Sequence, residues 1–408
     1  MTKDISSPFT PGVPVPVEFF VGRQAEVEHL RGKVARAKQG QLQVAFVAGE
    51  RGIGKSSLAS FVRVLAEREY GMVSAHAYLG GVQSLEDMVR RVFDRLLKES
   101  LGKTWEKQVR DFFGEHIKKV GLFGISVEFD ASSRELTRAA HDFAPALRNL
   151  CGALKGHKCG VVLVLDDING LARSEQFANW LKSLVDEIAT SQQPLPLCLI
   201  LVGMEERRQE LIECQPSLAR VFDVVDIRAW TDSEARDFFA KAFASVEVEM
   251  EPEALALMAE YSGGLPVVAH EIGDAAFKAD SDGRIDVEDG MDGVVDAAQT
   301  IGRKYLQAQV LDALRSEKYR TVLRKIAIYA AGDQFSRKQM RQHLSSEELK
   351  VLDSALRRMR DLGVIRGEGD RGVYSFTNSL HHVFFRVEAY EAGVRRLVVT
   401  EILPYDAE

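Results

Sequence analysis

The sequence predicts an α/β fold with a parallel five-stranded sheet, followed by a mainly helical C-terminal part. Short apolar runs, rich in leucine and β-branched residues, alternate with stretches in which apolar residues recur at helical spacing. Two of these runs end in residues that suit ligand binding, a glycine-rich loop in one case and two adjacent aspartates in the other. Because open parallel sheets bind ligands beyond the carboxyl ends of their strands, both features predict a site at one edge of the sheet.

The five predicted strands differ in how completely they are covered. The third and the fourth are unbroken apolar runs, which is typical of strands with helices on both faces. Helical periodicity separates the strands, for example in a helix that runs through about residue 38 and in one over 84–100. The strands are predicted at 44–48, 72–79, 159–166, 197–202 and 223–228.

Length and composition indicate a soluble protein of two or three domains. The chain has 408 residues, of which 46% are hydrophobic and 28% charged, and a formal net charge of −7. This charge argues against a uniformly basic coat for nucleic acid, although it is compatible with a local basic patch. No apolar run approaches the ~20 residues of a membrane span, and the four cysteines show no C-x-x-C pairing. We therefore expect reduced thiols, a cytoplasmic location and no membrane partner.

The first strand leads into the octet GERGIGKS, which satisfies the phosphate-binding pattern G-x-x-x-x-G-K-[ST]. Glycines let the backbone curl around an anion, and the helix that follows directs its first N–H groups to the same place. We expect Lys55 to reach the β- and γ-phosphates and the Ser56 hydroxyl to hold Mg²⁺. A chance glycine-rich turn is the alternative, but the strand before it and the helix after it favour a phosphate loop. The predicted phosphate-loop residues are Gly49, Glu50, Arg51, Gly52, Ile53, Gly54, Lys55, Ser56 and Ser57.

Upstream of this loop the chain resembles a known family. The segment Phe20-Val21-Gly22-Arg23, with Glu26 shortly after it, is similar to a box that lies against adenine in AAA+ and the related STAND ATPases. The resemblance implies a P-loop NTPase fold of the ASCE/AAA+ type, with ATP and Mg²⁺ as cofactors. It also implies that Val21 and Gly22 contact the base through backbone and apolar surface. A plain N-capped helix start is the alternative reading of this box.

The same resemblance implies roles for residues further along the chain. Asp166 matches the Walker B aspartate that holds Mg²⁺, and Asp167 stands where most AAA+ proteins carry a catalytic glutamate that orients water. Lys55 and Arg220 complete the implied catalytic set, since Arg220 matches an arginine that acts on the nucleotide of a neighbouring subunit. A surface arginine without that role is the alternative for Arg220. Pro266 lies in a G-x-P turn that packs against the nucleotide in the family.

Three positions depart from the family pattern. The fourth strand ends in Gly203 and Met204, where AAA+ proteins usually place a polar sensor residue. Val267 stands near the place of a second sensor, an arginine, and Asp167 is shorter than the usual glutamate. We therefore expect slow hydrolysis. His270, one turn beyond Val267, is interpreted as a core or capped histidine rather than a phosphate ligand.

The expected organisation has five parts, with an acidic stretch at 280–296 read as a solvated connector. They are an extended N-terminal arm without hydrogen-bonded structure (1–18), a nucleotide-binding core (19–229) with an insertion at 105–135 that includes a hairpin at 121–129, a helical lid (230–300), a winged-helix domain (301–390) and a C-terminal tail (391–408).

The last hundred residues look like a winged helix, because three predicted helices precede a β-hairpin. Between residues 336 and 372 there are nine Lys and Arg but only six Asp and Glu, so this segment is locally basic. The asymmetry favours double-stranded DNA as a partner. Folding back on the nucleotide, as winged helices in STAND proteins do, is the alternative. The predicted DNA contacts are Arg357, Arg358 and Arg360 on the recognition helix and Arg371 on the wing.

Three functions are compatible with these features. The first is an ATP-binding, slowly hydrolysing switch that assembles as a homo-oligomer or hetero-assembly and acts on DNA or a DNA-bound complex, like initiator or transposition ATPases. The second is a STAND-like signalling or defence switch whose partner is a separately encoded protein. The third is a nucleotide-binding scaffold without turnover.

Overall fold

The structure, a computed structural model, divides into two compact units. The N-terminal unit comprises Pro14–Glu50 and Gly54–Arg228, and the C-terminal unit comprises Met1–Val13, Arg51–Ile53 and Ala229–Glu408. Val21, Arg371 and the predicted hairpin at 121–129 lie outside the described residues. The described residues are 6–12, 20, 22–116, 133–311, 313–314, 316–330, 334–368, 372–377 and 379–393.

The N-terminal unit is built on the predicted parallel sheet of five strands, in the order β2-β3-β4-β1-β5. Every residue of the two central apolar strands, β3 and β4, is buried, as expected for strands covered on both faces. The register aligns the carboxyl ends of neighbouring strands, so that Tyr78 lies beside Asp166 and Asp166 beside Val202. The strands are β1 (Gln43–Gly49), β2 (Val73–Tyr78), β3 (Val161–Asp166), β4 (Leu197–Gly203) and β5 (Asp223–Ile227).

Eight helices of the described part surround this sheet. The segment predicted as an insertion at 105–135 begins with a helix, in which Val109 and Phe112 bury the apolar face in the core. The spacing of these two apolar residues at i and i+3 explains the helix. The helices are α1 (Gln24–Lys38), α2 (Lys55–Tyr70), α3 (Leu85–Ser100), α4 (Glu106–His116), α5 (Ser133–His141), α6 (Phe143–Ala153), α7 (Glu175–Thr190) and α8 (Glu205–Cys214).

The C-terminal unit begins with four helices, separated by two short strands that pair in parallel. The Thr231 and Glu234 side chains form the predicted capping box at the first helix. The elements are α9 (Asp232–Ala244), β6 (Glu249–Met250), α10 (Pro252–Ser262), α11 (Pro266–Ala279), β7 (Arg284–Ile285) and α12 (Val287–Ile301), which continues as a π-helical segment (Gly302–Leu311).

The acidic stretch at 280–296 is not a solvated connector, and that prediction is wrong. It contains β7 and the first part of α12. Asp286 and Asp289 form a capping box, so their charges satisfy the open N–H groups at the start of α12 and complement its dipole. Val294 lies on the buried face of the same helix. The acidic residues therefore begin a helix instead of interrupting the structure.

The N-terminal arm also differs from its prediction over residues 6–12. Phe9 is only 4% exposed, and its ring lies 5.0 Å from the Phe243 ring and 5.8 Å from the Phe238 ring. The backbone N–H of Thr10 donates to Nδ1 of His270 at 3.1 Å. These residues are therefore packed and hydrogen-bonded within the C-terminal unit. One buried aromatic ring outweighs the preference of the surrounding prolines for an open, solvated chain.

The last part of the C-terminal unit has a core of its own and the predicted order of helices and hairpin. Ser345 and Glu348 form the predicted capping box. Residues 334–336 join a three-stranded antiparallel sheet in the order β8-β10-β9, and the helix that follows has only four residues before the chain turns at 341–343. The bounds predicted for a winged-helix domain, residues 301 and 390, stay a prediction. The elements are α13 (Glu317–Tyr329), β8 (Gln334–Ser336), α14 (Arg337–Met340), α15 (Ser346–Asp361), β9 (Ile365–Gly367), β10 (Val373–Phe376) and α16 (Ser379–Glu391).

Within the described ranges, no helix is both long enough and apolar enough to cross a membrane.

Candidate functional site

The phosphate loop connects β1 to α2 and leaves the start of that helix open. Gly52 and Gly54 have φ angles of 81° and 95°, the left-handed region that glycine adopts without strain. Among the described residues, no side chain caps α2, and its first turn carries no acidic residue. The first N–H groups of α2 and the positive end of its dipole are therefore available to an anion.

Lys55, the first residue of α2, is held on the loop itself. Its Nζ donates to the carbonyl oxygen of Gly49 at 2.9 Å and to that of Glu50 at 2.6 Å. Burial lowers the pKa of Lys55 to about 8, and the negative charges of Asp166 and Asp167 partly oppose this shift. The loop thus positions a half-buried ammonium group whose solvation is incomplete, which suits it to the γ-phosphate of a nucleotide.

The tip of the loop, Arg51–Ile53, belongs to the C-terminal unit. The Val267 N–H donates to the Gly52 carbonyl oxygen at 3.3 Å. A Cβ atom on Gly52 would lie 2.5 Å from Cγ1 of Val267, so only glycine fits this contact. Pro266 is buried and opens α11 at the position that proline tolerates best. The structure therefore brings the predicted G-x-P turn to the tip of the predicted loop.

Asp166 ends β3 and is 3% exposed. One of its carboxylate oxygens, Oδ2, lies 2.8 Å from Nε2 of His76, which belongs to the neighbouring strand β2 and is 2% exposed. The His76 ring stacks on Tyr78 with a centroid distance of 4.3 Å. Sequence reasoning missed His76, because a single histidine in a strand gives no sign of the carboxylate across from it.

Asp167 follows directly and adopts the left-handed conformation, with φ 57° and ψ 58°. This conformation is uncommon for a residue with a side chain, although aspartate tolerates it better than most. The Asn169 amide donates to Oδ1 of Asp167. A Cβ atom on Gly80 would come within 3.0 Å of Oδ2. The exposed carboxylate of Asp167 is thus fixed by its backbone, by an amide and by the backbone of a neighbouring loop.

Mg²⁺ fits the oxygen ligands that the site offers. The donors are the Ser56 hydroxyl on α2 and the free oxygen of Asp166, and Mg²⁺ typically binds one or two carboxylates together with waters and phosphate oxygens. Across the part of the chain that the structure describes, no group of three or more His, Cys, Asp and Glu side chains could enclose a metal ion without a nucleotide. The donor set therefore suits an ion that is held jointly with phosphate.

The glycine–arginine turn upstream of α1 is also sharp. Gly22 and Arg23 both have positive φ angles, of 73° and 62°. Arg23 is buried and pairs with Glu26 at 3.6 Å. The Phe20 ring stacks on the Phe61 ring of α2 with a centroid distance of 4.7 Å. These contacts attach the turn to the helix that leaves the phosphate loop.

The remaining predicted residues of the N-terminal unit lie apart from these contacts. Arg220 is exposed at the end of a short 3₁₀ helix (Pro216–Arg220), and it makes no ion pair with any described residue. Gly203 is packed so tightly that a Cβ atom would meet Ile168 and Phe46 at 3.3 Å. A polar sensor side chain at this position would therefore have to displace core residues.

The predicted DNA-binding arginines that the structure describes lie on α15. Arg357, Arg358 and Arg360 are exposed, while Leu356 and Met359 of the same helix are buried. Arg358 donates to the Ala313 carbonyl oxygen at 3.2 Å. Neither Arg357 nor Arg360 makes an ion pair with a described residue, so their charges face solvent.

Comparison with known proteins gives a family for the N-terminal part. Residues 20–200 match the family model described as AAA ATPase domain. No curated protein sequence matches the chain. The Walker-type ATPase of Pyrococcus abyssi is 15% identical, with 94% of this chain and 99% of that chain covered at a TM-score of 0.53. The ORC2 protein of Aeropyrum pernix, solved in ADPNP–ADP complexes, is 16% identical, with 96% and 98% covered at a TM-score of 0.54. At these identities the likeness shows a common fold.

Proposed function

Because residues 20–200 match the family model described as AAA ATPase domain, we propose that this protein binds ATP together with Mg²⁺ and hydrolyses it slowly. The observation that carries the proposal is the start of α2, where no described side chain caps the helix and Lys55 donates hydrogen bonds to two carbonyl oxygens of the loop. The solved ORC2 protein with its ADPNP and ADP ligands supports the choice of an adenine nucleotide, since it has the same fold.

Each residue of the site has a defined task in this proposal. The phosphate-loop N–H groups and Lys55 bind the phosphates, and Ser56 and Asp166 hold Mg²⁺, which neutralises phosphate charge. Asp167 orients the attacking water. Gly22 and the adjacent Val21 bind the adenine. Binding and positioning account for most of the catalysis in this class of reaction, because the protein supplies little covalent chemistry.

Slow turnover is expected for two physical reasons. Gly203 offers no polar side chain to the water, and a side chain there would have to push back Phe46 and Ile168, which a Cβ atom would already meet at 3.3 Å. Asp167 is one methylene shorter than glutamate, and Asn169 already occupies one of its oxygens. Only Oδ2 is then left to orient the water.

The test is phosphate release from Mg·ATP by the wild type and three variants. We expect Lys55→Ala to abolish both binding and release, and Asp167→Asn to lower the rate by about 10²-fold or more with binding retained. Lys98→Ala serves as a control, since this exposed lysine of α3 pairs only with Asp94 among the described residues. Equal rates for the wild type and Asp167→Asn would contradict the assigned role. If the wild type binds ATP but releases no phosphate, the nucleotide-binding scaffold without turnover is favoured.

We further propose that the winged helix of the C-terminal unit binds double-stranded DNA through α15. Three other basic residues of this region are paired, namely Arg337 with Asp353, Lys350 with Glu347 and Arg366 with Glu368. Among the described basic residues of this region, Lys338, Arg341, Arg357, Arg358 and Arg360 make no ion pair, and the last three lie together on α15. Phosphate contacts of this kind release counterions and make binding depend on salt.

The test replaces Arg357, Arg358 and Arg360 with glutamine and measures DNA affinity against salt concentration. We expect the slope of log affinity against log salt to fall by roughly 3 if all three residues contact phosphate, since each contact contributes about 0.9. The matched control replaces Arg228, Lys241 and Lys278, whose side chains are 86%, 65% and 69% exposed, with glutamine. An equal loss in both triple variants would mean that net charge, rather than α15, governs binding.

A second function is favoured by contacts of α16. Arg386 of this helix donates to Glu260 of α10 at 2.5 Å and lies over the Tyr261 ring at 5.2 Å. Helix α16 of the proposed winged-helix domain thus contacts α10 of the proposed lid, which supports a STAND-like switch whose partner is another protein. Turnover that duplex DNA does not change, but that a separately encoded protein partner stimulates, would favour this function over DNA binding.

Assembly is part of the proposal in both cases. Arg220 is exposed and has no ion-pair partner among the described residues, so it is available to the nucleotide of another subunit. If it acts there, the rate per subunit rises with protein concentration in the wild type. In Arg220→Ala the rate would be low at every concentration, while ATP affinity is unchanged.

A further inference from the structure

We propose that His76 is a positioning residue for Asp166, fixing the carboxylate so that one oxygen remains for Mg²⁺. The inference rests on the proposed function, because it concerns how this chain holds the ion that accompanies ATP. His76 lies on β2, outside the phosphate loop and outside the strand that carries the aspartates.

The direction of the hydrogen bond follows from the chemistry of the pair. An ionised carboxylate has no hydrogen to donate, so the hydrogen of the 2.8 Å contact belongs to Nε2 of His76. Oδ2 of Asp166 accepts it, and Oδ1 remains for a metal ion. Both side chains are almost fully buried, so water does not compete for this bond. In a site of low polarity such a charge-assisted bond is strong and restricts the carboxylate to one orientation.

The position of the imidazole ring is itself determined by its surroundings. Ser74, His76 and Tyr78 share one face of β2, because side chains alternate along a strand. The Tyr78 ring stacks on the imidazole at an interplanar angle of 17°. The pairing of β2 with β3 places His76 beside Val164, two residues before Asp166. The ring therefore reaches along the face of the sheet to the carboxylate with little freedom of its own.

A purely structural role would predict a different consequence. A buried carboxylate needs a hydrogen-bond partner for stability alone, and loss of His76 would then weaken the whole domain. A positioning role predicts a specific loss of metal affinity, since partners of metal ligands typically contribute 10–100-fold to metal binding. Nucleotide binding in the absence of metal depends on the loop and Lys55, which His76 does not contact in the described structure.

The experiment measures the dissociation constant of a fluorescent ATP analogue with excess Mg²⁺ and with excess EDTA. The ratio of the two constants, EDTA over Mg²⁺, is the Mg²⁺ enhancement. We compare the wild type with His76→Gln, whose amide nitrogen can take the place of Nε2, and His76→Asn, whose shorter amide cannot reach Oδ2. Ser74→Ala is the control for a change on the same strand face, because its Oγ has no hydrogen-bond partner among the described residues.

We expect His76→Asn to lower the Mg²⁺ enhancement by about tenfold while the constant in EDTA stays unchanged. His76→Gln should recover most of the enhancement, and Ser74→Ala should match the wild type. Wild-type enhancement in His76→Asn would overturn the inference, and so would an equal weakening of both constants, which is the mark of a structural role. A wild type without any enhancement would refute the proposed Mg²⁺ site itself, and one that binds no analogue would refute the proposed function.

Discussion

Lys55 illustrates how local burial sets the chemistry of a single residue. Its pKa of about 8 results from desolvation by burial, which the negative charges of Asp166 and Asp167 only partly oppose. Below this pH the side chain is charged and attracts phosphate. Above it, free Lys55 is increasingly neutral, and binding a nucleotide must first restore the proton.

ATP affinity should therefore fall as the pH rises through 8. If only the charged form binds, the affinity decreases about tenfold between pH 7 and pH 9. Equilibrium titrations in EDTA measure this without a contribution from Mg²⁺. Lys55→Arg binds more weakly at every pH but should show no such decline, since arginine stays charged. The same decline in Lys55→Arg would assign the titration to another group.

His270 is a second residue whose titration follows from burial. Desolvation lowers its pKa to about 4, against a reference of 6.5 in the unfolded chain, and the nearby Asp274 opposes the shift only weakly. Because the unfolded state binds the proton more tightly, protonation below pH 6.5 favours unfolding.

The free energy of unfolding should thus decrease by about 2 kcal/mol between pH 7 and pH 5 from His270 alone. Chemical denaturation at the two pH values measures the change. In His270→Gln the decrease should be smaller by this amount. An unchanged pH dependence in the variant would show that His270 is already protonated, or unburied, in the folded protein.

At the scale of elements, the N-terminal arm shows where prediction from the sequence fails. The prolines at 8 and 11 correctly disfavour regular secondary structure over residues 6–12, but they say nothing about Phe9. Its partners on α9 and α11 are more than 200 residues away, and a Cβ atom on Gly273 would lie 2.3 Å from its ring. The glycine leaves the space that the ring fills.

Phe9→Ala should lower the stability of the C-terminal unit by about 3 kcal/mol, the usual cost of removing a buried phenylalanine ring. Thermal unfolding followed by the tryptophan fluorescence signal of Trp230, whose ring lies 5.0 Å from the Phe238 ring, measures the effect. Phe9→Leu, which keeps most of the apolar volume, should lose much less. Equal stability of the wild type and Phe9→Ala would mean that the arm does not occupy this position in solution.

The parallel sheet, in contrast, could be predicted strand by strand. The central strands β3 and β4 are local apolar runs, and a strand buried on both faces leaves a signature that needs no knowledge of its neighbours. The phosphate loop is equally local, since Gly52 and Lys55 lie within one octet. The hydrogen bond between His76 and Asp166 joins two residues that are 90 positions apart in the chain. Only the register of β2 against β3 brings them together. The sequence predicts a solvated connector at 280–296 because aspartates that cap a helix and aspartates that face solvent give a segment the same composition.

At the scale of the whole molecule, charge is distributed unevenly. The chain carries a net charge of −7, whereas α15 presents arginines that face solvent. If α15 contacts DNA as proposed, the negative charge of the rest of the surface repels phosphate and favours the orientation in which α15 faces the duplex. ATPase activity that rises with both duplex DNA and protein concentration would connect this face with the exposed Arg220.

The most direct test of the account is a calorimetric titration of the full chain with Mg·ATP. We predict saturable binding with one nucleotide per chain in the wild type, and none in Lys55→Ala under the same conditions. Asp166→Asn should bind ATP in EDTA as the wild type does but gain little from Mg²⁺. Wild-type binding by Lys55→Ala would contradict the account, because the phosphates would then have to be held somewhere other than the loop between β1 and α2.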